Sequence, residues 1–279
     1  MKILLTPNEM QNASRQMIQS GLSIGFVPTM GFLHDGHISL IRLAKKHADR
    51  IVVSIFVNPT QFGPNEDLDA YPRDFERDER LCREAGVDFL FYPTAESMYL
   101  ADHSIWLSEE SLSSGLCGAS RPNHFRGVCT VVAKLLNLVQ PDCMMLGEKD
   151  AQQLRILRRM VRDLNFPVNV ISGPTFREAD GLAMSSRNKY LTLKERSEAV
   201  CLFQSLEKAR ALWASGVRDA NQIELAMRVL IQNTAGEVDY IKIVDDETLT
   251  EVKSLDRPVL IALAVKFSAA RLIDNTVLR

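Results

Sequence analysis

Apolar positions along the chain form runs and stripes that predict its elements before any chemistry is considered. Residues 22–27 read as a buried strand closed by Pro28, and residues 50–57 (RIVVSIFV), 87–92, 142–147 and 167–172 read the same way. Helical patterns separate them. Residues 8–20 place Ala13, Met17 and Ile18 on one face and end at Gly21, and Leu40, Ile41, Leu43 and Ala44 mark a helix from His37 to about His47. A charged helix lies near residues 73–85, closed by Gly86, and an amphipathic one over 151–164. Residues 128–139 are rich in β-branched side chains, which suits a strand. Yet Val128, Val131, Val132, Leu135, Leu136 and Val139 keep helical spacing, so the segment is read as a helix. Its one charge, Lys134, predicts burial on most sides, with another subunit as one covering surface. Alternating apolar strands and helices predict a Rossmann-like parallel sheet with helices on both faces.

The character changes near residue 175. A polar segment, 177–188, leads to Thr192 and Glu195, a capping-box pair that opens one long helix ending at Gly216. Its apolar stripe is Ala199, Leu202, Phe203, Leu206, Ala209, Leu212 and Trp213. A second helix starts near Asn221, and strands follow over 238–244 and 259–265. The expected organisation is therefore a Rossmann-like domain over 1–175 and a smaller α+β domain over 176–279.

Composition narrows the classes of function. A chain of 279 residues with 46% hydrophobic and 24% charged residues has ordinary globular proportions and room for two domains. Its net charge of −2, from 33 basic and 35 acidic residues, supplies no basic field for nucleic acid. Cys82, Cys117, Cys129, Cys143 and Cys201 form no CxxC pair and read as reduced thiols. The apolar start, Ile3 to Leu5, is too short for a signal peptide, and no apolar run reaches the roughly 18–20 residues of a membrane helix. A cytoplasmic location is expected, with neither membrane nor nucleic-acid partner.

Candidate chemistry sits at the ends of predicted strands. The segment 28–37 (PTMGFLHDGH) places His34 and His37 three residues apart at a helix start, where free N–H groups and the helix dipole favour an anion. Gly31 and Gly36 allow close approach of backbone to a ligand. The pair also suits zinc, although no HExxH pattern or third ligand accompanies it, and it suits two ordinary exposed histidines. The segment 147–153 (GEKDAQQ) follows a predicted strand, at the end where open α/β sheets gather ligands. Lys149 suits phosphate, Asp150 ribose hydroxyls and Gln153 a polar substrate, but the same residues suit a solvated helix start. The segment 184–188 (MSSRN) offers hydroxyls and a guanidinium to phosphate oxygens, or is a linker. Arg121, His124 and Arg126 form either an anion patch or a polar loop at a subunit boundary. Neither a Walker A sequence nor GxGxxG occurs.

Taken in order, PTMGFLHDGH, NPTQFGPNEDLDAYPRD, RPNHFRGVCTVV, GEKDAQQL and READGLAMSSRN resemble the motifs of the pantothenate synthetase family, within the HxGH nucleotidyltransferase superfamily. The resemblance covers most of residues 24–192. It implies an AMP-forming ligation of (R)-pantoate and β-alanine to pantothenate, with ATP as substrate, Mg²⁺ carried by ATP rather than by protein ligands, a pantoyl-adenylate intermediate and a homodimer. By resemblance, Met30, Gly31, Phe32, Leu33, His34, Asp35, Gly36 and His37 form an ATP loop, with Gly147, Glu148, Lys149 and Asp150 as a second ATP segment. The Phe176 backbone meets adenine, and Met184, Ser185, Ser186 and Arg187 clamp the phosphates. His37, His34, Lys149 and Arg187 are the implied catalytic groups, while Pro28, Met30, Gln61 and Gln153 hold pantoate and β-alanine. The first domain is then the ATP- and pantoate-binding one and the second a lid. Three positions depart from the pattern: Phe176 replaces a small aliphatic residue, Ala151 an aromatic one and Asn123 a glycine. Other readings are a nucleotidyltransferase that retains AMP in its product, a silent nucleotide-binding scaffold and a synthetase fragment.

Overall fold

The apolar runs of the first part pair side by side in one parallel sheet. The structure, a computed structural model, describes residues 1–64 and 66–279; Asn65, which ends the loop expected over 58–65, lies outside the described residues. In chain order this part runs β1 (Lys2–Leu4), α1 (Pro7–Gln19), β2 (Ile24–Thr29), α2 (Asp35–Ala44), β3 (Arg50–Ile55), α3 (Phe75–Glu84) and β4 (Phe89–Phe91). It continues with α4 (Ala95–Met98), α5 (Cys117–Ser120), α6 (His124–Val139), β5 (Cys143–Gly147), α7 (Ala151–Asp163) and β6 (Asn169–Gly173). The sheet order is β1-β4-β3-β2-β5-β6, every neighbouring pair parallel. A parallel sheet must be covered on both faces, and the side chains alternate accordingly. Val27, Ile51, Val53 and Met145 share a core with Ile38 and Ile41 of α2. Phe26, Val52 and Met144, fully buried, alternate with them and project to the opposite face. The expected fold class holds.

Two details differ from the expectation. The strand begun at Ile24 does not stop at Pro28 but runs to Thr29. Because β2 pairs with β5 only over Gly25 and Phe26, Pro28 falls where the strand has one neighbour, the place a residue without N–H is tolerated. The three-residue β1 had no visible pattern, being a short edge strand registered Lys2 to Phe89. The 128–139 segment is helical, as its spacing predicts, and α6 buries Val128, Val131, Val132, Leu135, Leu136 and Val139 within the chain. The strands β2 and β5 are neighbours whose successors, β3 and β6, lie on opposite sides. That reversal of direction opens the crevice in which doubly wound sheets bind ligands.

The chain divides into two compact units, and not by a single cut. The first comprises Met1–Ser113, Ser120–Glu148 and Gln153–Pro174; the second comprises Ser114–Ala119, Lys149–Gln152 and Thr175–Arg279. The second holds α8 (Leu193–Glu198), α9 (Cys201–Ala214), α10 (Ala220–Gln232), β7 (Glu237–Asp245), β8 (Val259–Phe267) and β9 (Ala270–Leu278). Its three strands form an antiparallel sheet, β7-β8-β9, with α9 and α10 sharing a core with one face. The long helix expected over 192–216 is two helices. The backbone tightens at Ala199, where the Leu202 N–H bonds to the Ala199 carbonyl in an i+3 turn. The strand β9 is also additional to the two expected, because its buried centre, Asp274-Asn275-Thr276, is polar.

Candidate active site

At the end of β2, residues 30–37 form a loop held by an unusual set of caps. His34 is the N-cap of α2, and its Nδ1 accepts the Gly36 N–H at 3.2 Å. In return His37 Nδ1 accepts the His34 N–H at 3.2 Å, so the two imidazoles form a reciprocal capping box, ring centroids 4.1 Å apart. A ring nitrogen that accepts has no proton, so each neutral ring carries its N–H on Nε2. In each histidine Nδ1 is thus engaged by backbone, which fixes the plane of the ring.

The approach to this cap is strained. Phe32 adopts φ 49°, the left-handed region that aromatic residues avoid, and Gly31 adopts φ 81°. Asp78 of α3 compensates: its carboxylate, 1% exposed, accepts the Phe32 N–H at 2.6 Å and the Leu33 N–H at 2.7 Å. Burial pushes the Asp78 carboxyl above its usual range, opposed by those two N–H bonds. Its neighbour Arg77 donates to the Leu33 carbonyl at 2.8 Å and covers the Phe32 ring. A Cβ on Gly31 would come within 2.9 Å of Ile55 and 3.1 Å of Asp78, which leaves no room for a side chain.

Gln61, at the end of the 3-10 turn Pro59–Gln61, is fixed from several directions. Its Oε1 accepts from Asn58 Nδ2 at 3.1 Å, and its Nε2 lies 3.2 Å from Met30 Sδ. Thus Met30 and Gln61, assigned to one substrate by resemblance, are in contact. Arg121 and His124 clamp this turn. Arg121 pairs with Glu66, its Nε 2.8 Å from the carboxylate, and contacts His124 Nε2 at 3.0 Å. A guanidinium only donates, so His124 Nδ1 carries the proton that reaches the Gln61 carbonyl at 2.9 Å. Burial works against the Glu66 carboxylate, but Arg121 outweighs it and holds the group below its usual range. A Cβ on Gly127 would stand 2.5 Å from the Thr60 carbonyl oxygen, so glycine is required for this close approach. Asn123, where the resemblance expects glycine, sits at φ 66°, a region asparagine also tolerates.

The remaining candidates divide between the units. Gly147 and Glu148 close β5 in the first unit, where Gln153 is half-buried in the first turn of α7. Lys149 and Asp150 belong to the second unit, and the Lys149 ammonium lies 3.8 Å from Asp150. Phe176 is 40% exposed, and its carbonyl accepts the Met184 N–H at 2.9 Å. Ser185 caps the 3-10 turn Ser186–Tyr190 by accepting the Arg187 N–H at 3.3 Å. Lys149 and Ser185 line one small crevice with Asn188 and Asp274. Ala151, where the resemblance expects an aromatic residue, packs in a small core with Leu116, Val244 and Leu260, against which Tyr240 lies. The structure thus gathers Met30 with Gln61, His34 with His37, and Lys149 with Ser185. Sequence reading missed Asp78 and Arg77, which hold the loop before His34. They stand in a charged segment whose local pattern carries no sign of the contact.

Comparison with known proteins agrees with the resemblance. A family model described as Pantoate-beta-alanine ligase matches residues 2–277. The pantothenate synthetase of Thermotoga neapolitana is 55% identical over 279 residues, all of both chains, and that of Fervidobacterium nodosum 53% over 278 residues, covering 100% and 99%. The crystal structure of pantothenate synthetase from Thermus thermophilus superposes with a TM-score of 0.94 at 44% identity, covering 99% of each chain. A Francisella tularensis pantoate-beta-alanine ligase, solved in complex with beta-gamma ATP and β-alanine, has a TM-score of 0.82 at 33% identity, covering 99% and 97%.

Proposed function

The chain belongs to the pantoate-beta-alanine ligase family and is an ATP-dependent, pantothenate-forming enzyme; from that premise we propose a two-step, AMP-forming route. The pantoate carboxylate attacks the α-phosphorus of ATP, the bond to the β-phosphate oxygen breaks, and pyrophosphate leaves. The amine of β-alanine then attacks the acyl carbon of pantoyl adenylate, and the bond to AMP breaks. Negative charge grows on the α-phosphate and leaving oxygens in the first step, so fixed donors supply the catalysis. The reciprocal cap of His34 and His37 is the observation that carries this reading. It fixes both imidazoles at a helix N-terminus, beside a backbone already suited to phosphate.

Lys149, Ser185, Ser186 and Arg187 add the positive and hydroxyl donors. The backbone of residues 30–37, Gly147, Glu148 and Asp150 holds the nucleotide. Adenine meets the backbone at Phe176, whose carbonyl also accepts the Met184 N–H and so is held in place. Pro28, Met30, Gln61 and Gln153 receive pantoate and then β-alanine, with the Gln61 amide oriented by its bond from Asn58. Likeness to the Francisella enzyme solved with beta-gamma ATP and β-alanine supports both substrates. Triphosphate oxygens are hard ligands that suit Mg²⁺. The ion is therefore assigned to Mg-ATP, where it neutralises phosphate charge. The second unit is assigned the task of shielding the mixed anhydride from water.

A homodimer and a cytoplasmic location complete the proposal. Leu100, Ile105 and Trp106 expose apolar surface at 69%, 74% and 38%, and five free cysteines suit a reducing compartment. No helix among the described residues is long and apolar enough to cross a membrane.

Pantoate-dependent ATP–pyrophosphate exchange followed by a β-alanine chase tests the route. Exchange that requires pantoate, and free AMP only after the chase, is expected. A product that retains AMP would mean a nucleotidyltransferase, and no exchange would overturn the adenylate.

A further inference from the structure

Both nucleotide-binding segments of the second unit are tied to one strand, β9, through adjacent residues. Adjacent strand residues face opposite ways, and β9 uses both faces. On one face Ala270, Leu272 and Leu278 enter the core shared with α9 and α10. Asp274, 2% exposed, lies on that face and receives the Arg177 guanidinium at 2.7 and 3.0 Å. Arg177 also donates to the Gly181 carbonyl at 3.0 Å and stacks over Phe203. That arm fixes the loop running from Phe176 to the serine pair. On the other face Asn275, 9% exposed, donates from Nδ2 to the Lys149 carbonyl at 2.9 Å. The far end of the same turn is pinned by Gln152, which accepts the Cys117 N–H at 2.9 Å and donates to the Gly115 carbonyl at 2.8 Å. A segment 126 residues from Lys149 in sequence therefore sets where its ammonium starts.

We infer that Asp274 and Asn275 are positioning residues for ATP: β9 is a two-sided brace that holds the Lys149 turn and the 176–187 loop in register for one triphosphate. This rests on Lys149 and the serine–arginine loop being phosphate ligands, as proposed above. Neither Asp274 nor Asn275 need touch the nucleotide. The chemistry of the pair fits the task. A carboxylate bonded by an arginine fork resists rotation, and an amide donor to a main-chain carbonyl sets backbone without engaging the Lys149 ammonium.

The test is a double-mutant cycle read as the dissociation constant of Mg-ATP, by calorimetry, in wild type, Asn275→Ala, Lys149→Ala and the double variant. Asn275→Ala is expected to weaken ATP about tenfold, the scale of one lost hydrogen bond to a positioned group, and to leave pantoate binding unchanged. In the Lys149→Ala background the same change should have little effect, because the group being positioned is gone. If Asn275→Ala does not fold, Asn275→Ser, which is too short to reach the carbonyl, replaces it. Equal weakening in both backgrounds, or parallel loss of pantoate and ATP binding, would overturn the brace while leaving Lys149 a ligand. If Lys149→Ala binds ATP as wild type does, the phosphate reading of Lys149 fails and the brace falls with it.

Discussion

The histidine loop of the first unit and the lysine and serine segments of the second, which we propose do related electrostatic work, are built in different ways. The first is self-contained. His34 and His37 cap each other across three residues, and its outside support, Asp78, lies 46 residues or fewer away on the next helix. The second is assembled from distant parts of the chain: Arg177 meets Asp274 across 97 residues, and Lys149 meets Asn275 across 126. The difference teaches where precision comes from. A local cap sets geometry as its helix forms, whereas a long-range brace exists only once the sheet has formed.

Both regions are required if they serve one α-phosphorus. His37→Ala and Lys149→Ala should each lower single-turnover adenylation by ~10²–10³, the scale of one transition-state contact. Rapid-quench measurement decides it. A normal rate in either variant would reduce the comparison to one working region.

Next in size is the turn that holds Gln61. The added Cβ of Gly127→Ala stands 2.5 Å from the Thr60 oxygen, so it should cost about 2–3 kcal/mol of stability and raise the KM for pantoate more than that for ATP. Urea denaturation with parallel kinetics checks both; an equal rise in both KM values would separate this turn from pantoate.

Asp78→Asn probes the outside support of the histidine loop. An amide offers one acceptor where the carboxylate met two N–H groups, so one buried donor is orphaned, at about 1–2 kcal/mol. The KM for ATP should rise with it. If stability falls but ATP kinetics do not change, the histidine cap is autonomous and the contrast between the regions is sharper still.

The smallest effect lies outside both sites, in the second unit. Hydrogen bonds from Ser268 and then Thr192 hold the Glu195 carboxyl at about 2, against an ordinary value of 4.5. A depressed folded value contributes stability above pH 4.5 that is lost as pH falls through about 2. Glu195→Gln should melt below wild type at neutral pH, and the gap should close on acidification through that window. A gap independent of pH would assign the effect to packing.

Legibility in the sequence follows the same division. The parallel sheet was visible because its strands are apolar throughout, and α6 because its valines and leucines keep helical spacing despite their β-branching. The histidine pair was visible as spacing, but not its reciprocal cap, since nothing in the local pattern distinguishes an accepting from an exposed imidazole. Asp78 looked like one more charge on a charged helix, although it is buried. The strand β9 was invisible for the reason that makes it interesting: Asp274, Asn275 and Thr276 interrupt its apolar alternation, and their partners lie far away in the chain.

Attack of the pantoate carboxylate on the α-phosphorus is the claim on which both regions depend, and oxygen labelling tests it directly. Pantoate carrying ¹⁸O in its carboxylate should transfer one labelled oxygen to AMP when pantothenate forms with β-alanine, as read by mass spectrometry of the nucleotide. Label appearing in inorganic phosphate or pyrophosphate, with AMP unlabelled, would contradict the account.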